Sequence, residues 1–111
     1  MAIPLYEAKA ELFKTLAHPA RIRVLELLSQ RDHAVHELLT QVSVPASNLS
    51  QHLSVLRRAG LVTSRRDDGE VLYAISVPEV ADLLLAGRVI LRLVLEDRAI
   101  LRDELDGVSN G

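Results

Sequence analysis

The chain has no cysteine and no tryptophan among its 111 residues, and its aromatic side chains are limited to Tyr6, Phe13 and Tyr73. Without cysteine there are no disulfides, thiolate metal sites, iron–sulfur clusters or cysteine nucleophiles. With so few aromatics, the core has to be drawn from the Leu, Val, Ile and Ala that dominate a 49% hydrophobic composition. A chain this short buries only about two-thirds of the surface its unfolded form exposes, so a second copy would enlarge the core usefully. No stretch reaches the ~18 uncharged apolar residues of a membrane span, because Asp82, Arg88 and Arg92 interrupt the most apolar region. The opening Met1-Ala2-Ile3-Pro4-Leu5 lacks the basic segment and apolar run of an export signal. A glycine-rich phosphate loop, a nucleophile elbow and carboxylates paired across a cleft are also missing, and Glu96-Asp97 and Asp103-Glu104 fit the solvated face of a helix. The expectation is a single soluble, cytoplasmic, non-enzymatic domain spanning residues 1–111.

The net charge of −2 argues against a polyanionic partner until its distribution is considered. Residues 1–37 are balanced, with five acids and five bases. Residues 38–66 hold Arg57, Arg58, Arg65 and Arg66 and no acid, a net +4. Residues 67–111 hold ten acids against four bases, a net −6. A basic middle is joined to an acidic tail.

Apolar residues at 5, 8, 12, 13 and 16 share one helical face, and Ala17-His18-Pro19 ends that helix because the residue before proline avoids the α region. Pro19 opens a second helix running to about Ser29, with Ile22, Leu25 and Leu28 inward and Arg21, Arg23 and Glu26 outward. Gln30 to His33 is a polar break before a short helix over 35–40. Pro45 marks the start of a fourth helix that aligns Leu49, Leu53 and Leu56 and stops at Gly60. The β-prone runs 61–66 and 70–77 flank Asp67-Asp68-Gly69, a strong hairpin signal, and predict a two-stranded wing.

After Pro78 a final helix is expected to about Leu105, with an apolar stripe at 80, 83, 84, 90, 91, 94, 101 and 105. At 1.5 Å per residue it is about 40 Å long, against a diameter of roughly 35 Å for a domain of this size. The helix should overhang its domain and present the stripe to a partner.

Helix, turn, helix and basic hairpin in succession make a winged helix-turn-helix: a mainly α fold of about five helices with a two-stranded wing, whose fourth helix enters the DNA major groove. If Leu49, Leu53 and Leu56 are its buried side, Ser47, Gln51, Ser54 and Arg58 stand opposite, flanked by Asn48 and Val55. Gln and Asn pair with adenine edges, Arg with guanine or phosphate, and Ser with either base edges or phosphate. The candidate DNA-binding set is Ser47, Asn48, Ser50, Gln51, His52, Ser54, Arg57, Arg58, Arg65 and Arg66, with double-stranded DNA as partner. An ordinary solvated helix face is the alternative, and it is weakened by the absence of acids. Arg57 and Arg58 also favour the helix C-terminus, and His52 sits on the shoulder, suited to a phosphate or to a structural role. Asp67 and Asp68 repel phosphate, so the side of the wing rather than its tip is the part suited to DNA. His18 reads as structural. His33 and His36 with Glu37 are candidate ligands for nickel or zinc, incomplete without His18 or a second chain, and surface or capping roles are the alternative. A winged-helix module that docks another protein through its long helix is the competing class of function.

Two stretches, Leu12-Phe13-Lys14-Thr15-Leu16-Ala17-His18-Pro19-Ala20-Arg21-Ile22-Arg23-Val24-Leu25 and Asn48-Leu49-Ser50-Gln51-His52-Leu53-Ser54-Val55-Leu56-Arg57-Arg58-Ala59-Gly60-Leu61-Val62, resemble the signatures of the ArsR/SmtB repressors. The resemblance covers about residues 5–105. It implies a homodimer through the first and last helices, residues 1–17 and 78–105, that sets two reader helices into successive major grooves of an imperfect palindrome. It also implies repression as the default, with DNA released by an effector in many members. Two departures stand out. Where arsenic- and cadmium-type members carry Cys-Val-Cys, this chain reads Ala34-Val35-His36, and where zinc- and nickel-type members place histidine on the last helix, this chain has none after His52. Redox effectors are disfavoured by the lack of cysteine.

Overall fold

A computed structural model describes the backbone of residues 2–105 and the side chains of residues 2–99. The helices are α1 (Leu5–Leu16), α2 (Pro19–Gln30), α3 (Val35–Gln41), α4 (Ala46–Arg58) and α5 (Glu79–Leu105), and the strands are β1 (His33–Ala34), β2 (Val62–Asp67) and β3 (Glu70–Ile75). The chain forms two compact units, residues 1–81 and 82–111.

The first unit follows the sequence signals closely. Pro19 occupies the first turn of α2, where its missing N–H costs nothing. Pro45 is the residue preceding α4, with extended backbone. Helix α4 ends in a Schellman motif: the Leu61 N–H donates to the Leu56 carbonyl at 3.0 Å and the Gly60 N–H to Arg57 at 3.0 Å. Gly60 has φ +80°, the left-handed conformation such a cap requires and L side chains resist. Leu56 and Leu61, the two positions whose apolar side chains commonly meet in this motif, are both buried. The hairpin turns on Asp68 at φ +53° and Gly69 at φ +81°, and positive φ at both central residues is a type I′ turn.

The core is aliphatic throughout. Val24, Leu25, Leu38, Leu49, Leu53, Leu56 and Val62 are its largest fully buried side chains, each contributing about 1.5–3 kcal/mol.

The wing differs from expectation. The sheet has three antiparallel strands in the order β1-β3-β2, because His33, placed in a polar break by the sequence, and Ala34 after it pair with Tyr73 and Leu72. His33 is buried rather than a surface residue, at 4% exposure. Two residues are too few to carry a period-2 pattern, and the strand exists only because β3 offers it a ladder.

Helix α1 buries only Leu16; Leu5, Tyr6, Leu12 and Phe13 lie exposed along it. The part of α5 that forms the second unit exposes Leu85, Val89, Ile90, Leu91, Leu93, Val94 and Leu95. The stripe positions Leu101 and Leu105, and the pair Asp103-Glu104, lie outside the residues whose side chains are described. No helix among the described residues is long and apolar enough to cross a membrane.

Candidate nucleic-acid interface

Burying Leu49, Leu53 and Leu56 orients α4. Ser47, Asn48, Ser50, Gln51, Ser54, Arg57 and Arg58 are consequently exposed, with His52 and Val55 half-buried at the edges. The exposed face carries hydroxyl, amide and guanidinium groups and no carboxylate, the inventory for reading base edges and phosphates.

The four arginines beside this face have different neighbours. The Arg57 guanidinium donates to Ser64 Oγ at 3.2 Å, tying the end of α4 to the wing. Arg65 donates to Asp32 Oδ2 at 2.6 Å, with both side chains substantially exposed. Arg58 and Arg66 have no hydrogen-bond or ion-pair partner among the described residues. Arg65 and Arg66 are successive strand residues, opposite Leu72 and Val71, so their side chains leave opposite faces of the sheet. Arg66 shares the Ser64 side, towards Arg57, whereas Arg65 is on the other side with Asp32.

His52 does not stand alone on the shoulder of α4. Its Nδ1 accepts from Arg21 Nε at 3.0 Å, and the same guanidinium donates through Nη1 to the Thr15 carbonyl at 2.9 Å. The His18 ring is 5.6 Å away. Burial, then the positive charge of Arg21, then His18 lower the His52 pKa from its ordinary value, so the ring is neutral at pH 7 with its proton on Nε2. Arg21, expected to face outward, is instead half-buried and joins the end of α1 to α4. Spacing alone gave no sign of this, because a long side chain can fold back from the rim of an amphipathic face.

The candidate metal ligands are otherwise engaged. His33 Nδ1–H donates to the Arg31 carbonyl at 2.8 Å, and His36 Nδ1 is 3.4 Å from Glu70 Oε1. Glu37 accepts from the Ala34 N–H at 2.9 Å and from Arg31 at 2.8 Å, one bond to each carboxylate oxygen. Led by the Arg31 bond, these interactions hold its pKa down to about 2. Glu37 thus caps the start of α3. Among the described residues, no group of three or more histidine or carboxylate side chains is placed to hold a metal ion, so the donors present do not fit a metal centre within one chain.

Comparison with known proteins places this geometry in a family. A family model described as bacterial regulatory protein, arsR family, matches residues 18–64, which run from the residue preceding α2 into β2. The HTH-type transcriptional regulator Rv0081 of Mycobacterium tuberculosis is 55% identical over 103 residues, covering 92% of this chain and 90% of the relative. The crystal structure of Rv0081 superimposes with a TM-score of 0.80 at 56% identity, over 88% of this chain and 99% of the other. The transcriptional repressor BigR of Xylella fastidiosa superimposes with a TM-score of 0.71 at 34% identity, over 77% of this chain and 87% of BigR. Mb0332 of Mycobacterium bovis, solved as a homodimeric winged helix-turn-helix DNA-binding domain, gives 0.72 at 31% identity, over 84% and 86% of the two chains. The reading of the molecule as a mere protein-docking module gives way, and with it any enzymatic reading: this chain belongs to the arsR family of bacterial regulatory proteins and is a DNA-binding transcriptional regulator with a winged helix-turn-helix fold.

Proposed function

We propose that the protein is a cytoplasmic homodimeric repressor that occupies an imperfect palindromic operator, with residues 1–17 and 78–105 forming the dimer and α4 reading bases. The observation that carries this reading is the acid-free exposed face of α4, Ser47 to Arg58, flanked by wing arginines. The dimer is supported by the apolar residues left exposed on α1 and α5 and by the homodimeric state of Mb0332. Repression is supported by the likeness to BigR, a repressor. Selection of bound genomic fragments, followed by footprinting, tests the proposal. The expected result is two protected half-sites about one helical turn apart, with lower transcription from a promoter overlapping them. Protection of a single unpaired site by a monomer would overturn it.

One observation favours a metal-responsive variant of this reading: His33, His36 and Glu37 line one cavity of about 360 Å³ beside α2 and α3. In that variant a nickel or zinc ion would be held by His33 and His36, and because His18 lies with His52 at the opposite end of α2, only a second chain could complete the shell. Calorimetric titration of each metal into the wild type and the His33→Ala/His36→Ala double variant decides it, identical isotherms rejecting these ligands.

A further inference from the structure

Beside the groove-facing side of α4 lies a cavity of about 330 Å³ lined by Arg21, Gln51, His52, Ser54, Val55 and Arg58. Two guanidiniums, an amide, a hydroxyl and an imidazole border it, and no carboxylate does. Arg21 reaches it from α2, a helix with no acid in its first turn. Its Nε and Nη1 are fixed by His52 and the Thr15 carbonyl, while Nη2 has no acceptor among the described residues. The guanidinium is therefore held in one orientation, already partly ordered, with donors to spare. Arg58, across the cavity, likewise lacks a partner among the described residues. The Arg21–His52 bond fixes the neutral His52 ring with N–H at Nε2, which adds a third donor without adding charge.

We infer that Arg21 and Arg58 form a binding site for a phosphodiester of the DNA backbone, next to the groove that α4 enters. Arg21 is the member that sequence reading does not supply. The inference rests on the DNA-reading role proposed for α4. A pre-oriented planar fork suits a phosphate better than a free lysine would, because less rotamer entropy is lost on binding. A contact of this kind carries no sequence information and sets the register of the reader on the duplex.

The test is the salt dependence of binding to a mixed-sequence duplex. Each phosphate contact contributes about 0.9 to the slope of log K against log salt. Arg21→Gln should lower affinity and flatten the slope by about 0.9 per protomer. Arg21→Lys keeps the charge and should weaken binding with the slope unchanged. A purely structural role for Arg21 lowers affinity through misfolding and leaves the slope of the folded fraction as in the wild type, and that result overturns the inference. A wild-type slope near zero would instead defeat the DNA-reading role itself. Should Arg21→Gln fail to fold, the unmutated protein still decides. The nitrogen resonances of the Arg21 side chain are followed by NMR during titration with duplex, and separately with inorganic phosphate at matched ionic strength. A shift with duplex is expected; none with duplex, or one with inorganic phosphate alone, rejects the backbone as ligand.

Discussion

The Arg65 guanidinium on the wing and the Asp32 carboxylate, thirty-three residues earlier in the chain, are joined by a 2.6 Å hydrogen bond. Both groups are substantially exposed, and pairs of this kind are worth about 0–1 kcal/mol. A DNA phosphate can therefore displace Asp32 at little cost, although the carboxylate opposes it. Asp32→Asn should raise affinity for DNA of any sequence severalfold at low salt, and the gain should fade at high salt as the charges are screened. Its melting temperature should barely move. An unchanged low-salt affinity, measured by fluorescence anisotropy, would show that Arg65 does not meet DNA.

Gln51 and Arg65 should fail in different ways. Gln51 is exposed on α4, and an amide paired with an adenine edge discriminates among bases. Gln51→Ala is expected to cost about 1–3 kcal/mol on the operator and to relax preference at one base position. Arg65→Ala should weaken operator and random DNA alike. Equal losses on both DNAs for Gln51→Ala would count against base readout at that residue.

Gly60 holds the end of α4 against the wing. Nothing lies within 4 Å of a Cβ placed there, so the effect of a substitution is conformational and not steric. Gly60→Ala forces an L residue into the left-handed region, at roughly 1–2 kcal/mol. Thermal unfolding should show that loss, and an unchanged melting temperature would mean that the cap relaxes freely.

Much of this architecture is legible in the sequence because its signals are local. Pro19, Pro45, Gly60 and Asp68-Gly69 each act through backbone chemistry within a few residues, and the Leu49-Leu53-Leu56 row fixes which way α4 faces. The relationships that escape are those between distant residues. Strand β1 requires β3, Asp32 requires Arg65, and Arg21 requires His52, and in no case does a residue's own neighbourhood record the partner. Arg65 and Arg66 show the same limit: adjacent and identical in sequence, they are separated by the alternation of the strand.

Phe13, 52% exposed on α1, supplies a direct test of the dimer. If α1 is buried between two copies, Phe13→Glu places a carboxylate in an apolar interface, where its desolvation is unfavourable. Sedimentation should then show a monomer, or a dimer weakened by an order of magnitude or more, and operator affinity should fall with it because two half-sites can no longer be held together. Should the variant remain as dimeric as the wild type, α1 lies outside the interface.

The Arg21–His52 bond makes stability depend on pH in a direction that can be worked out. The bond needs an unprotonated Nδ1 on His52, and burial together with Arg21 and His18 lowers the pKa of the folded ring. Below the unfolded value of about 6.5, the unfolded chain binds a proton that the folded chain resists. Stability from this site is therefore present above about pH 6.5 and is lost as pH falls from there through the depressed folded pKa. His52→Gln keeps an oxygen acceptor for Arg21 and removes the titration. The difference in unfolding free energy between wild type and variant should be constant above pH 7 and should shift against the wild type as the solution is acidified. Denaturant melts across that range measure it, and a difference that stays flat down to pH 5 would mean that Arg21 does not hold the neutral ring.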